Sequence, residues 1–470
     1  MNPTEVVGGR RTTDNLSPCP HQEGAIPELP PGPRMPAWLQ AANLGFRPTA
    51  FFDGCHRRFG DCFTLRLPGF PPQVVFCGPE AVKEIFAGDG DQLSAGRANL
   101  VLKPLLGDHS LLLLDGPQHL RERRMMQPPF HGERMKAYFE VIRTITDRAI
   151  DRWPVGRPIP IHPETQGITL DVIISTVFGM KEGSDFGTLR ALLVRGTSAA
   201  SPLTLLPALQ VDLGRFSPWG RFIRCREETN AFLCAEIARR RAADLDARSD
   251  VFSMLIRARD ENGKGMTDQE LAEEMGTLLA AGHETTATAL AWAFCHVLDH
   301  PRVLENIHLE LERVLGDGPL GADRLQDLKY LDATIKETLR MTPIILDVGR
   351  RLETPMTIGG RRLPAGVNAS PSIYLAHRRP EAWPEPEQFD PERFLNGRPR
   401  LYEFFPFGGG IRRCLGMAFA LYEMKVVLAQ VLRRVTLRKA DGYRARGVRR
   451  NITLAPSKGM PLVVQKKGPA

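Results

Sequence analysis

The chain has 470 residues, with 62 Lys and Arg against 54 Asp and Glu for a net charge of +8, and is 42% hydrophobic and 25% charged. Those proportions exclude a largely disordered or collagen-like chain and supply enough apolar surface for a sizeable core. With no Pro/Gly/Ser-rich linker after residue 36, one large domain over residues 37–470 is expected.

The first 36 residues hold Pro3, Pro18, Pro20, Pro27, Pro30, Pro31, Pro33 and Pro36 and no apolar core. They are expected to form a disordered arm ending in an extended Pro-rich strap, not a signal peptide or an anchor. No later stretch reaches the roughly 18 consecutive apolar residues of a membrane helix, so a soluble protein without a membrane anchor is expected. Eight cysteines without a C-x-x-C pair argue against a disulfide scaffold or zinc ribbon and fit a reducing cytoplasm. The positive charge gathers in pairs such as Arg123-Arg124, Arg350-Arg351 and Arg412-Arg413. Without a helix-turn-helix, finger or aromatic-basic pattern beside them, these suit a solvated surface, and no nucleic-acid partner is expected.

Residues 62–67 and 73–77 predict two short strands joined by a Pro-Gly turn. Helical periodicity dominates from Pro79, broken at Trp153-Pro154, Ser217-Pro218, His300-Pro301 and Thr342-Pro343, and further short β runs lie between 350 and 370. The fold class is therefore mainly α with minor β. The clearest helix starts at the capping box Thr267-x-x-Glu270 and ends at Asp299. Its middle reads Ala280-Ala281-Gly282-His283-Glu284-Thr285-Thr286. Gly282 weakens the helix, and Thr285 can bond back to the Ala281 carbonyl, so a local distortion is expected there, either a proton-delivery site or a glycine packing contact.

The strongest chemical signal is Phe407-Gly408-Gly409-Gly410-Ile411-Arg412-Arg413-Cys414-Leu415-Gly416, followed by a helix predicted over 417–435. A cysteine before a helix N-terminus, in a turn whose glycines admit backbone amides to the sulfur, is suited to ligate a metal as thiolate. Thiolate ligation of haem iron promotes O–O cleavage.

With this loop the sequence resembles the cytochrome P-450 superfamily of haem-thiolate monooxygenases, soluble bacterial type, over about residues 37–470. Ala281, Gly282, Glu284, Thr285 and Thr286 match the family's oxygen-activation segment, with Glu where many members have Asp. Glu337-Thr338-Leu339-Arg340 matches its E-x-x-R helix and Arg393 its later arginine. E-x-x-R also occurs at Glu140/Arg143, Glu236/Arg239 and Glu310/Arg313, where ordinary surface pairs are expected, so order along the chain gives it weight.

The resemblance implies haem b bound through Cys414, in the cradle of Phe407, Gly408 and Gly416. It implies a buried structural triad of Glu337, Arg340 and Arg393. It places Ala281 and Gly282 beside the cofactor and implies catalytic roles for Thr285 and Glu284. Carboxylate propionates need cationic partners, and His119, Arg123, Arg350 and Arg412 stand at family positions for them, with Arg124 and Arg351 as the nearest alternatives. The segments that would contact substrate carry Leu102, Leu206, Leu278, Ile345, Val348 and Leu454, an aliphatic set that suits a lipophilic ligand although such residues more often form plain core. Asp347 is the one charge near them. The expected reaction inserts one atom of dioxygen into a lipophilic substrate such as a fatty acid, terpenoid or steroid. Electrons would come from a separate ferredoxin or flavodoxin with its NAD(P)H-dependent reductase, docking beside Arg121, Arg124 and Arg413 on an enzyme expected to be monomeric. The alternatives are a peroxygenase or isomerising member of the same fold, or a haem-thiolate sensor without turnover.

Overall fold

The computed structural model describes residues 28–468 apart from 89, 91, 131–133, 200–209, 247 and 398. Its axis is the helix Asp268–Asp299, apolar on most sides and buried almost throughout from Thr286 to Val297. The Thr267 hydroxyl accepts the Glu270 N–H at 3.2 Å while the Glu270 carboxylate accepts the Thr267 N–H at 2.7 Å. Two orphan donors at the helix start are thereby satisfied. His300 ends the helix, and Pro301, which has no N–H to lose, opens the next one, Pro301–Leu315. Helices Ile161–Thr176, Pro218–Arg241, Lys329–Met341 and Met417–Arg434 pack around this axis.

The distortion expected at Gly282 is not seen, for the helix runs α-helical without interruption. A Cβ on Gly282 would lie 2.4 Å from Ile173 Cδ1, so the glycine lets the Ile161–Thr176 helix approach closely. The Thr285 hydroxyl donates to the Ala281 carbonyl at 2.7 Å, as its spacing predicts, without breaking the ladder. Gly282 thus makes a packing contact beside an unbroken helix.

The β elements form small separate sheets. Cys62–Leu65 pairs antiparallel with Gln73–Phe76, which pairs in parallel with Asn368–Pro371, and Arg350–Leu352 and Leu93–Ser94 complete five strands. Pro461–Lys467 lies between Pro158–Pro160 and Val435–Lys439, and Gly447–Arg450 with Thr453–Pro456 makes a hairpin against the central helix.

The described residues begin before residue 37, within the strap. Thr64 donates its N–H to the Pro31 carbonyl at 3.1 Å and its hydroxyl to the Pro30 carbonyl at 2.6 Å. A Cβ on Gly32 would fall 1.9 Å from the Thr64 carbonyl oxygen. Prolines cannot donate to a sheet edge but their carbonyls can accept, which is how the strap docks. The rest of the arm, residues 1–27, lies outside the described residues. Among the described residues, no helix is long and apolar enough to cross a membrane.

Candidate active site

Gly410 has φ +64°, and a Cβ there would meet the Phe86 carbonyl oxygen at 2.2 Å, so the Gly-rich turn lies directly on the helix Pro79–Ala87. This seats the loop, and the Cys414 N–H then donates to the Phe407 carbonyl at 3.0 Å. Gly416 caps the helix Met417–Arg434. Among the free cysteines described, Cys414 is the exposed one, whereas Cys55, Cys77, Cys225 and Cys295 are buried. Desolvation by surrounding protein raises its thiol pKa, opposed by the Gly416 backbone N–H and the Arg123 guanidinium, both of which favour thiolate.

Glu337 and Arg340 are fully buried on the helix Lys329–Met341. Arg340 donates from Nε and Nη2 to the two Glu337 carboxylate oxygens at 2.7 Å each. Its remaining donors reach the carbonyls of His377, Pro386 and Gln388 at 3.0, 2.8 and 3.0 Å. Arg393 Nε stands 3.6 Å from Glu337 Oε1, so the expected three residues are brought together. The His377 ring accepts the Phe405 N–H at 2.9 Å and joins this cluster to the approach of the cysteine loop.

The other E-x-x-R pairs diverge. Glu140 and Arg143 make a surface pair. Glu310 instead caps the Lys329–Met341 helix, accepting the Tyr330 and Leu331 N–H groups at 2.6 and 2.9 Å. Glu236 is buried and holds Arg240 as well as Arg239, so it is no ordinary surface residue. Arg240 also reaches Asp250 at 2.5 Å, a buried network missed in the sequence although Glu236 and Arg240 stand at i,i+4 spacing.

His119 and Arg123 project from the helix Gly116–Met126, and Arg350 is the inward residue of its strand while Arg351 is not. Burial, then the Arg412 and Arg123 charges with Arg350 behind them, hold the His119 imidazole down to about 4, so it is neutral. Its Nδ1 is buried without a hydrogen-bond partner. Arg412 donates to the Leu111 carbonyl at 3.0 Å and contacts Asp115, and Arg123 donates to the Arg413 carbonyl at 2.7 Å. Arg412 and Arg350 share one neighbouring carboxylate, Asp115, while Arg123 lies beside Cys414, so positive charge is in excess in this largely buried space.

On the central helix Ala280 and Ala281 are exposed in an otherwise buried segment, and Thr285 lies one turn further along the same face. Glu284 turns toward the neighbouring helix, where Gln166 Nε2 donates to its Oε2 and His162 Nε2 stands 3.7 Å from its Oε1. His162 is fully buried, and desolvation lowers its imidazole to about 4, with Arg450 adding to the effect. Leu102, Leu278, Ile345 and Val348 are half-buried and Leu454 is buried, whereas Leu206 lies outside the described residues. The Leu454 carbonyl accepts Trp292 Nε1–H at 2.8 Å and its N–H donates to the Ile344 carbonyl at 2.8 Å, tying hairpin, central helix and post-Arg340 segment together. Asp347 accepts from Gln73 Nε2 and faces Arg449.

Arg121 does not stand free on a docking face. Its Nε donates to Asp260 at 2.6 Å and its Nη2 to the Gly265 carbonyl at 3.1 Å. Arg124 is exposed and only loosely paired, 3.9 Å from Glu261, and Arg413 is exposed.

A family model described as cytochrome P450, written P-450 here, matches residues 27–460. The chain belongs to the cytochrome P-450 family. It is 40% identical to cytochrome P-450 135B1 of Mycobacterium tuberculosis over 438 residues, covering 93% of this chain and 91% of that protein. Against cytochrome P-450 135A1 of the same species, identity is 37%, covering 92% and 94%. Among solved structures, the retinoic acid-bound cyanobacterial CYP120A1 superposes with a TM-score of 0.83 at 25% identity, covering 94% of this chain and 100% of that one. As a cytochrome P-450 this protein is a haem-thiolate monooxygenase. The residues fit the cofactor: an exposed cysteine in a glycine turn offers the thiolate, and the excess of positive charge beside the orphaned His119 Nδ1 suits carboxylate propionates. Bound haem supplies the activation of dioxygen and the transfer of one oxygen atom.

Proposed function

We propose that this cytochrome P-450 hydroxylates a lipophilic substrate and takes its electrons from a separate acidic ferredoxin or flavodoxin. The observation that carries the substrate reading is the state of Asp347, the one charged side chain of the post-Arg340 run, which is spent on Gln73. The wall offered by Leu102, Leu278, Ile345, Val348 and Leu454 is then aliphatic, and binding would be driven by apolar burial at about 25 cal/mol per Å². That a structural neighbour, CYP120A1, is described as bound to retinoic acid agrees with a lipophilic ligand.

In this reading Cys414 ligates the iron, and His119, Arg123, Arg350 and Arg412 hold the propionates, the guanidiniums as charged donors and the imidazole through a ring N–H. The Thr285 hydroxyl, back-bonded to the Ala281 carbonyl in this structure, would turn from that carbonyl to offer its proton on the cofactor side. Glu284, held by Gln166 on the neighbouring helix, collects protons from solvent and passes them toward Thr285, a general-acid relay. This carboxylate–hydroxyl pair favours use of dioxygen over a peroxygenase or sensor role, since neither of those needs a proton relay to bound oxygen.

Titration with a graded series of compounds, read as displacement of the iron-bound water in the absorbance spectrum, tests the substrate class. Affinity should rise with apolar area and fall when hydroxyls are added. Tighter binding of polar than of apolar members would reject it.

A further inference from the structure

Glu122 on the Gly116–Met126 helix and Glu274 on the central helix are both at 0% exposure and face each other across the helix contact. Three of their four carboxylate oxygens, Glu122 Oε2 and both oxygens of Glu274, have no hydrogen-bond donor. Gln118 Nε2 serves the fourth, Glu122 Oε1, at 3.2 Å. Two ionised carboxylates cannot occupy such a site, because each would be desolvated and they would repel each other. One proton resolves both difficulties, making one group an O–H donor to the other, the short and strong type of hydrogen bond.

The surroundings favour keeping that proton. On the same helix as Glu122, Arg121 Nη1 is 4.0 Å away, and that guanidinium is committed to Asp260 at 2.6 Å. On the central helix the nearby charges are Glu270 and Glu273, both of the same sign as the pair. From the loop before Gly116 the Leu111 backbone N–H points at Glu274 short of full hydrogen-bond geometry, and it opposes the proton by favouring the charged form, a smaller effect than burial and the neighbouring carboxylate. Burial above all, and then mutual repulsion, push the Glu274 carboxyl well above the carboxylate range.

We propose that Glu122 and Glu274 share a single proton in the native enzyme, and that this bond positions the Gly116–Met126 helix, and with it His119 and Arg123, against the central helix. Both are positioning residues, since neither touches the reacting atoms. The consequence for haem retention rests on the propionate roles of His119 and Arg123, whereas the shared proton does not.

The sign follows from linkage. The folded protein binds a proton that the unfolded chain, with an ordinary Glu pKa near ~4.3, has released. Its stability therefore falls as pH rises from there to the raised pKa of the pair, by up to about tenfold in the unfolding equilibrium per pH unit. Glu274→Gln replaces the acid with a permanent N–H donor to Glu122 and removes that dependence.

Three measurements on the holoenzyme test the proposal. Because Glu423 is another fully buried acid, the infrared diagnostic is the spectrum of wild type minus that of Glu274→Gln at neutral pH. It should contain one protonated-carboxyl C=O band. Urea unfolding from pH 6 to 9 should lose stability more steeply in wild type than in Glu274→Gln or Glu122→Gln. Haem transfer to apomyoglobin should accelerate with pH in wild type by tenfold or more and stay nearly flat in Glu274→Gln, with Glu122→Gln between the two because burial alone still raises the Glu274 carboxyl. Absence of the difference band together with equal pH slopes would overturn the shared proton. A band present with identical haem transfer profiles in all three proteins would overturn the positioning role. A wild-type profile shifted by a chelator would replace the proton with a metal cation and also overturn the proposal. Should Glu274→Gln fail to fold, Glu122→Gln and the double Gln variant carry the same comparisons.

Discussion

Replacing Arg340 by Ala tests the buried Glu337–Arg340 pair most severely. The guanidinium is fully buried, holds both Glu337 oxygens at 2.7 Å, satisfies the carbonyls of His377, Pro386 and Gln388, and lies 5.3 Å from the centre of the Trp383 ring. Removing one member of a buried ion pair costs about 3–5 kcal/mol because the remaining charge has no solvent. The three stranded carbonyls add roughly 1 kcal/mol or more each, less than additively. The total, upward of about 5 kcal/mol, rivals the whole stability of ~5–15 kcal/mol typical of a folded domain. Arg340→Ala should therefore accumulate without haem or not at all. Arg340→Lys, which keeps the charge but not the fork, should fall between. A double change, Glu337→Leu with Arg340→Met, removes both charges together and should be less destabilised than the sum of its single variants. Urea unfolding followed by circular dichroism and by the haem absorbance band gives the comparison. An Arg340→Ala protein within about 1 kcal/mol of wild type would refute the argument.

Three further outcomes are expected. Cys414→His should abolish the red-shifted Soret band of the reduced carbonyl complex while substitutions at the buried Cys55 or Cys295 keep it, and the absorbance spectrum decides. Thr285→Ala should retain haem and ligand binding but divert reducing equivalents to hydrogen peroxide, measured as peroxide formed per NAD(P)H consumed; an unchanged product yield would remove Thr285 from the relay. Arg413→Glu and Arg124→Glu should slow first-electron transfer from an acidic ferredoxin at low salt without altering the spectrum, the difference shrinking as the Debye length falls from ~10 Å at 0.1 M toward ~3 Å at 1 M. Arg121→Glu should behave differently and lower stability, because it faces Asp260.

What could be read along the chain was local. The Thr267–Glu270 capping box, the stop at His300-Pro301, the glycine turn before Cys414 and the back-bond from Thr285 to Ala281 depend on residues a few positions apart, whose backbone geometry is dictated by their own chemistry. The order of the motifs carried the family, and with it the choice of Glu337 over three other E-x-x-R glutamates. Tertiary structure decided how each polar group is used, because burial is created by segments distant in sequence. Glu310 and Glu337 share a motif, yet one caps a helix and the other holds a buried arginine. Gly282 proved to be a packing contact only because Ile173 stands beside it. Arg121 is paired with Asp260, Asp347 is spent on Gln73, and the strap docks through Thr64. The pairing of Glu122 with Glu274 has no counterpart in local spacing. A carboxylate costs little in water and several kcal/mol when buried alone, so the environment assembled by folding, rather than the residue type, determines what each one does.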